Sequence, residues 1–75
     1  MTGNQYAAIL AYSTSHALRA EKVLLKAGIP CKLIPVPRHL SSDCGVCLRV
    51  EQSDGEAALQ ALREAGVETK GSYEI

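Results

Sequence analysis

Apolar and polar residues follow two different periods along this chain, and these periods predict four strands and two helices. The apolar run 5–12 contains no Gly or Pro, which is typical of a buried strand. Three hydroxyl residues follow at 13–15. Such residues favour helix N-caps because their oxygens accept hydrogen bonds from first-turn amides. A helix is therefore predicted over 16–27, with Gly28 as its stop. Its inner stripe comprises Ala17, Ala20, Leu24 and Ala27.

The middle of the chain predicts two strands joined by a polar loop. The segment 29–36 reads as a strand, but Pro30 and Pro35 remove two amide donors, so we expect it at an edge of the sheet. After the loop 37–43, the segment 45–51 alternates with period two, as a half-buried strand does. One face of that strand carries Val46, Leu48 and Val50, and the other carries Cys47, Arg49 and Glu51.

The last third predicts a second helix and a fourth strand. Ser53 and Glu56 have the spacing of a capping box, in which the serine caps the helix and the glutamate reaches back. The helix is predicted to run to about Ala65. Its inner stripe comprises Ala58, Leu59, Leu62 and Ala65. The segment 67–75 is predicted as the last strand, weakened by Gly71.

The predicted order is therefore β-α-β-β-α-β within a single domain, 1–75. This order is the anatomy of a ferredoxin-like α+β sandwich, an antiparallel four-stranded sheet with two helices on one face. A short internal sequence repeat supports two related halves. The residues Ala20, Leu24, Ala27, Gly28 and Lys32 recur at one constant offset as Ala58, Leu62, Ala65, Gly66 and Lys70.

Size and charge exclude several classes of function. A chain of 75 residues buries only about 60% of the surface that it exposes when unfolded, which leaves little room for an internal active site. Eight basic and eight acidic residues give a net charge of zero, which disfavours binding to nucleic acid. No apolar run is long enough to span a bilayer, and no secretion signal is visible, so we expect a cytoplasmic protein that does not bind membranes.

Three cysteines raise the question of which thiol carries chemistry. An odd number of cysteines disfavours a disulfide framework. In the predicted topology, the connection from the first strand to the first helix emerges at the same end of the sheet as the loop that ends in Cys44. Helix N-termini and nearby cations stabilise thiolates, so Cys44 is a candidate nucleophile or carrier thiol. The alternative is an ordinary loop cysteine beside a turn glycine.

Other residues of these two connections could support that thiol. The candidate cations are His16, Arg38 and His39. The candidate polar and anion-stabilising residues are Ser13, Thr14, Ser41, Ser42 and Gly45.

The remaining cysteines have competing interpretations. Cys44 and Cys47 match C-x-x-C, but the second cysteine lies within a predicted strand and no set of four zinc ligands is evident, so we expect no metal and no cofactor. Cys31 is interpreted as a small core residue. The strand face with Cys47, Arg49 and Glu51 is either solvated or a homodimer interface.

Several runs of the sequence resemble a known family. They are Tyr12–Lys22, Ala27–Pro30, Pro35–Arg38 and Leu40–Gly45. They resemble the small bacterial uncharacterised-domain family described as selenium/sulfur carrier protein-like, most specifically in Pro-x-Pro-Arg followed by Ser-Ser-x-Cys-Gly. The resemblance implies that Cys44 is the carrier cysteine with Gly45 beside it. It also implies that Ser13, Thr14 and His16 form the helix-start motif.

Three functions remain open from the sequence. The first is a sulfur or selenium carrier, rather than a stand-alone enzyme, that holds a persulfide or selenopersulfide on Cys44. Its partners would be a donor such as a cysteine desulfurase and an acceptor enzyme. The second is a non-catalytic interaction or regulatory module, and the third is a thiol-disulfide protein that uses Cys44 and Cys47.

Overall fold

A computed structural model describes residues 5–38, 40 and 45–75 of the chain. The element order is β-α-β-β-α-β, as the sequence predicts, with one short 3-10 helix added before the second α-helix. The elements are β1 (Tyr6–Ala11), α1 (Thr14–Lys26), β2 (Cys31–Pro35), β3 (Val46–Glu51), the 3-10 helix (Gln52–Asp54), α2 (Gly55–Glu64) and β4 (Thr69–Glu74).

The four strands form one antiparallel sheet in the order β2-β3-β1-β4. The predicted position of β2 at a sheet edge is therefore confirmed. The Val36 N–H donates to the Gly45 carbonyl at 3.3 Å, which makes these residues a hydrogen-bonded pair. Because such pairs alternate along an antiparallel ladder, the backbone nitrogen of Pro35 points away from β3. The proline therefore costs no hydrogen bond within the sheet.

The main core lies between the sheet and the two helices. Ile9 and Leu48 from the central strands pack against Leu24 of α1 and Leu62 of α2, all with at most 1% of their surface exposed. Both helices therefore lie on one face of the sheet, which confirms the ferredoxin-like α+β sandwich. The ends of the predicted helix stripes differ from expectation, because Ala27 and Ala65 are helix C-caps and are exposed.

The face of the sheet that carries no helix, here called the helix-free face, has a small core of its own. Ala8, Leu10 and Cys47 are buried there beneath partly buried residues that include Val36 and Leu40. The expectation that Cys47 lies on a solvated or interface surface is therefore wrong, since its side chain is fully buried. Part of the β2–β3 connection folds back over this face. Farther along it, the Arg49 guanidinium lies 4.2 Å from the centre of the Tyr6 ring.

The two helices end in the same way, and the glycines of the internal sequence repeat lie at these two ends. Gly28 and Gly66 have φ angles of +81° and +77°, a region that glycine adopts without strain. Beyond them, the Ile29 N–H donates to the Leu24 carbonyl and the Val67 N–H donates to the Leu62 carbonyl, each at 2.9 Å. These bonds define two matching Schellman motifs.

The start of α2 differs from the sequence prediction. Ser53 lies inside the 3-10 helix, and the residue at the N-cap of α2 is Asp54, whose side chain makes no capping hydrogen bond. The predicted capping box of Ser53 and Glu56 is therefore wrong. The 3-10 helix begins at Gln52, directly after β3. Ser53 therefore lies inside a helical turn rather than at the start of a helix.

Candidate functional site

The strand register brings three connections to one end of the sheet. Leu10, near the end of β1, pairs with Cys47, and Pro35, at the end of β2, pairs with Val46. The predicted meeting of the β1–α1 and β2–β3 connections at one end of the sheet is thus confirmed. The start of β4 joins them, because Ala11 pairs with Thr69. We call this the Gly45 end of the sheet.

Helix α1 begins at the Gly45 end with a serine cap. Ser13 has extended backbone angles, and its side-chain oxygen accepts a hydrogen bond from the His16 N–H at 3.2 Å. The cap satisfies one of the amides that the first helical turn leaves without a partner. The first turn of α1 contains no acidic residue. No carboxylate of that turn therefore offsets the partial positive charge at the helix N-terminus.

The same serine hydroxyl contacts the imidazole ring of His16. Ser13 Oγ lies 2.7 Å from His16 Nδ1, a short hydrogen bond between two exposed side chains. In the tautomer in which the hydroxyl donates to Nδ1, the ring hydrogen is on Nε2, which can then donate to an anion. Ser13 thus caps the helix and orients the histidine with one oxygen atom.

Two residues that were not predicted as site residues complete this cluster. The ring of Tyr12 meets the ring of His16 edge to face, with 6.2 Å between centroids, and the ammonium of Lys70 lies 5.5 Å from the centre of the Tyr12 ring. Tyr12 could have been noticed as an aromatic residue directly before the serine cap. Lys70 gave no such signal, because the register of β4 against β1 brings it here.

Gly45 is described, whereas several other predicted site residues are not. Its carbonyl holds the end of β2 through Val36, and it is exposed. Among the described residues, a Cβ added at Gly45 would have no neighbour within 4 Å, and the φ angle of Gly45 lies outside the left-handed region. The described fold therefore does not require glycine here. The predicted site residues Cys44, His39, Ser41 and Ser42 lie outside the described residues.

Arg38 occupies an exposed turn of the β2–β3 connection. The Leu40 N–H donates to the Pro37 carbonyl at 3.0 Å, and this bond closes the turn around Arg38. Within the described part of the chain, no hydrogen bond or ion pair joins Arg38 to His16. The predicted role of Arg38 beside the thiol remains a prediction. Thr14 is exposed as the first residue of α1.

Cys31 and Cys47 have very different surroundings from those expected of a carrier thiol. The Cys31 thiol packs against the main core, as predicted, and donates to the Glu21 carbonyl at 3.9 Å. Burial raises the pKa of Cys31, and the negative charge of Glu21 raises it further. Cys47 is fully buried in the small core of the helix-free face.

Two features are absent from the described residues. Residues 5–38, 40 and 45–75 contain no group of three or more His, Cys, Asp or Glu side chains arranged to hold a metal ion. None of the helices in this part of the chain has the length and apolar character needed to cross a membrane.

Comparison with known proteins identifies the family of this chain. No curated protein and no solved structure matches the sequence significantly. A family model with the description "Putative Se/S carrier protein-like" matches residues 6–74, which is nearly the whole chain and includes the Ser-Ser-Asp-Cys-Gly segment. The chain therefore belongs to the Se/S carrier protein-like family.

Proposed function

We propose that this protein is a sulfur or selenium carrier that holds the transferred atom on Cys44 as a persulfide or selenopersulfide. The observation that carries the proposal is the family match over residues 6–74, which spans Cys44 and its flanking residues. A carrier needs one accessible thiol and surfaces for its partners rather than a deep cavity. Those requirements suit a domain of 75 residues.

The Gly45 end of the sheet offers a suitable environment for a thiolate. Gly45 follows Cys44 directly in the sequence, and the start of α1 is at the same end of the sheet. Amides at a helix N-terminus and nearby cations lower thiol pKa values and stabilise anionic sulfur. His16, oriented by Ser13, is our candidate hydrogen-bond donor to the terminal anion, and Arg38 is the candidate cation. The hydroxyls of Thr14, Ser41 and Ser42 are further candidates.

The other two thiols are poorly suited to carry sulfur. A thiol must ionise to attack, and burial raises the pKa of Cys31. The side chain of Cys47 has no surface exposed to solvent, so a partner protein cannot reach it without opening the small core. The burial of Cys47 also disfavours a thiol-disulfide couple with Cys44. Elimination among three thiols thus favours Cys44.

The proposed transfer is an exchange of one sulfur atom in two steps. The Cys44 thiolate attacks the terminal sulfur of a donor persulfide, a new S–S bond forms on Cys44, and the donor S–S bond breaks. The electron pair of the broken bond leaves with the donor cysteine as a thiolate. An acceptor nucleophile then attacks the terminal sulfur on Cys44, and the Cys44 thiolate is the leaving group. Selenium would follow the same path.

The donor and acceptor follow from this chemistry. A cysteine desulfurase forms a persulfide of the kind that the first step consumes, so it is our proposed donor, and an enzyme that incorporates the atom is the acceptor. A carrier thiol persists only where thiols stay reduced, so we expect the relay to operate in the cytoplasm.

Loading by a desulfurase tests the proposal. The protein is incubated with a cysteine desulfurase and cysteine, and its intact mass is then measured without reducing agent. We expect a mass increase of one sulfur atom that treatment with a thiol reductant reverses. We expect the same increase in Cys31→Ser, the matched control at a free thiol, and no increase in Cys44→Ser.

Two outcomes would contradict the proposal. One is a wild-type protein that never gains sulfur from an active desulfurase. The other is a Cys44→Ser variant that gains as much as the wild type. Circular dichroism of each variant checks that the fold is kept, so that a lost mass increase reports on chemistry.

A further inference from the structure

The two edges of the sheet are built differently. On the β2 edge, the hydrogen-bonded pair of Val36 and Gly45 directs the amides of Cys31, Leu33 and residue 35 away from the sheet. Residue 35 is proline and has no N–H to offer. A proline at an outward position is a common device against pairing with another strand. The β2 edge is therefore partly blocked.

The β4 edge has no outward proline, and its regular part, residues 71–75, lies beyond the bulge at Lys70. The Ile75 N–H donates to the Tyr6 carbonyl at 3.1 Å, so the backbone groups of Tyr73 and Gly71 also face β1. Those of Ser72 and Glu74 consequently face outward. β4 contains no proline and is the outermost described strand on its side of the sheet. The outward N–H and C=O groups of Ser72 and Glu74 form a template for one more strand, and the Lys70 carbonyl accepts a hydrogen bond from the Tyr73 hydroxyl at 3.2 Å.

We propose that this edge pairs with β4 of a second copy of the same chain, antiparallel and with the two-fold axis at Ser72. Backbone alternation allows this register, because Ser72 faces outward and can exchange two hydrogen bonds with Ser72 of the second copy. The arrangement joins two four-stranded sheets into one. It uses the edge of the sheet rather than its helix-free face, and it does not depend on the carrier function.

Charge complementarity is the reason for choosing a second copy as the occupant. With the axis at Ser72, Lys70 of each chain lies opposite Glu74 of the other, which gives two pairs of opposite charge. Moving the register by two residues toward the start of β4 places Glu68 opposite Glu74 instead, which is repulsive. The pairing of β4 with β1 shifts between Gly71 and Thr69, so Lys70 is the extra residue of a β-bulge at one end of the regular part of β4.

The exposed apolar side chains of this edge fit the same register. Tyr73 and Ile75 are 43% and 40% exposed, which is high for large apolar residues. The Tyr73 ring lies over its own Gly71, where an added Cβ would come within 3.6 Å of the tyrosine hydroxyl. In the dimer, Tyr73 lies opposite Gly71 of the second copy, which has no side chain to clash with the exposed edge of the ring.

Charge reversal in solution tests the dimer. The mass of the full-length protein is measured by sedimentation equilibrium across a wide concentration range. We expect a dimer for the wild type and loss of the dimer in Lys70→Glu and in Glu74→Lys. We expect the double variant, with both charges exchanged, to dimerise again. A wild type that is monomeric at every concentration overturns the proposal and leaves a strand of another protein as the occupant.

A backbone substitution provides an independent check. Ser72→Pro removes an N–H that faces outward, so pairing with β1 is expected to survive while the dimer is lost. Ser72→Ala is the matched control and keeps the dimer. If Ser72→Pro does not fold, the charge-reversal variants still test whether β4 forms the dimer. A dimer that survives both Ser72→Pro and the single charge reversals uses another surface and overturns the proposal.

Discussion

The side-chain oxygen of Ser13 contacts His16 twice, through the backbone N–H at 3.2 Å and through Nδ1 at 2.7 Å. One atom therefore both starts helix α1 and orients the only titratable side chain in its first turn. A substitution at Ser13 is expected to affect the stability of the helix and the position of the imidazole together.

Replacing the serine cap should separate these two effects. We expect Ser13→Ala to lower the free energy of unfolding by about 1 kcal/mol, because the first turn loses its cap. Ser13→Asn should keep most of the stability, since asparagine caps equally well, but it loses the hydroxyl contact to Nδ1. Urea unfolding of both variants measures the difference. Equal stability of Ser13→Ala and wild type would show that the cap contributes little.

Leu40 should protect Cys47 on the helix-free face. We expect Leu40→Ala to lower the free energy of unfolding by about 1 kcal/mol, since a partly buried leucine is lost from the small core. The Cys47 thiol should also react faster with a thiol reagent under native conditions. Leu25→Ala, at a leucine that is 55% exposed, is the control and should change neither property. A Cys47 thiol that already reacts rapidly in the wild type would contradict its burial.

The glycines should respond to alanine in opposite ways. Gly28→Ala is expected to lower the free energy of unfolding by roughly 1–2 kcal/mol, because φ is +81°. Gly45→Ala should leave it unchanged or raise it by roughly 0.4–1 kcal/mol, because no described residue lies within 4 Å of the added Cβ and φ is outside the left-handed region. Thermal unfolding compares the two. A Gly45→Ala variant that is stable but loads less sulfur would assign Gly45 to function.

The raised pKa of Cys31 predicts a pH dependence. Because the folded-state pKa lies above that of the unfolded chain, the neutral thiol contributes stability that is present below the unfolded pKa. That contribution is lost as pH rises through the folded pKa. Alkylation of Cys31 in a Cys44→Ser background should therefore rise at higher pH than alkylation of a peptide thiol. A Cys31 thiol that titrates at or below the pH of the peptide thiol would contradict this.

Local patterns were enough to predict the fold, because strand alternation, helix stripes and glycine stops each depend on near neighbours. They identified the edge position of β2 and the meeting of connections at the Gly45 end. Local patterns did not predict the burial of Cys47, because that burial depends on Leu40 folding back across the sheet. They also did not predict that Lys70 lies beside Tyr12, because this contact depends on strand register. The prediction of Ser53 as a helix N-cap was wrong, because its capping-box spacing falls where the structure has a 3-10 helix.

The most direct test of the carrier proposal locates the transferred sulfur in the wild-type protein. After loading by a cysteine desulfurase, the protein is alkylated, digested and fragmented in a mass spectrometer, so that each of its three cysteines is read separately. We predict the additional sulfur on Cys44, with Cys31 and Cys47 unmodified. Additional sulfur on Cys31 or Cys47 but not on Cys44 would contradict the account.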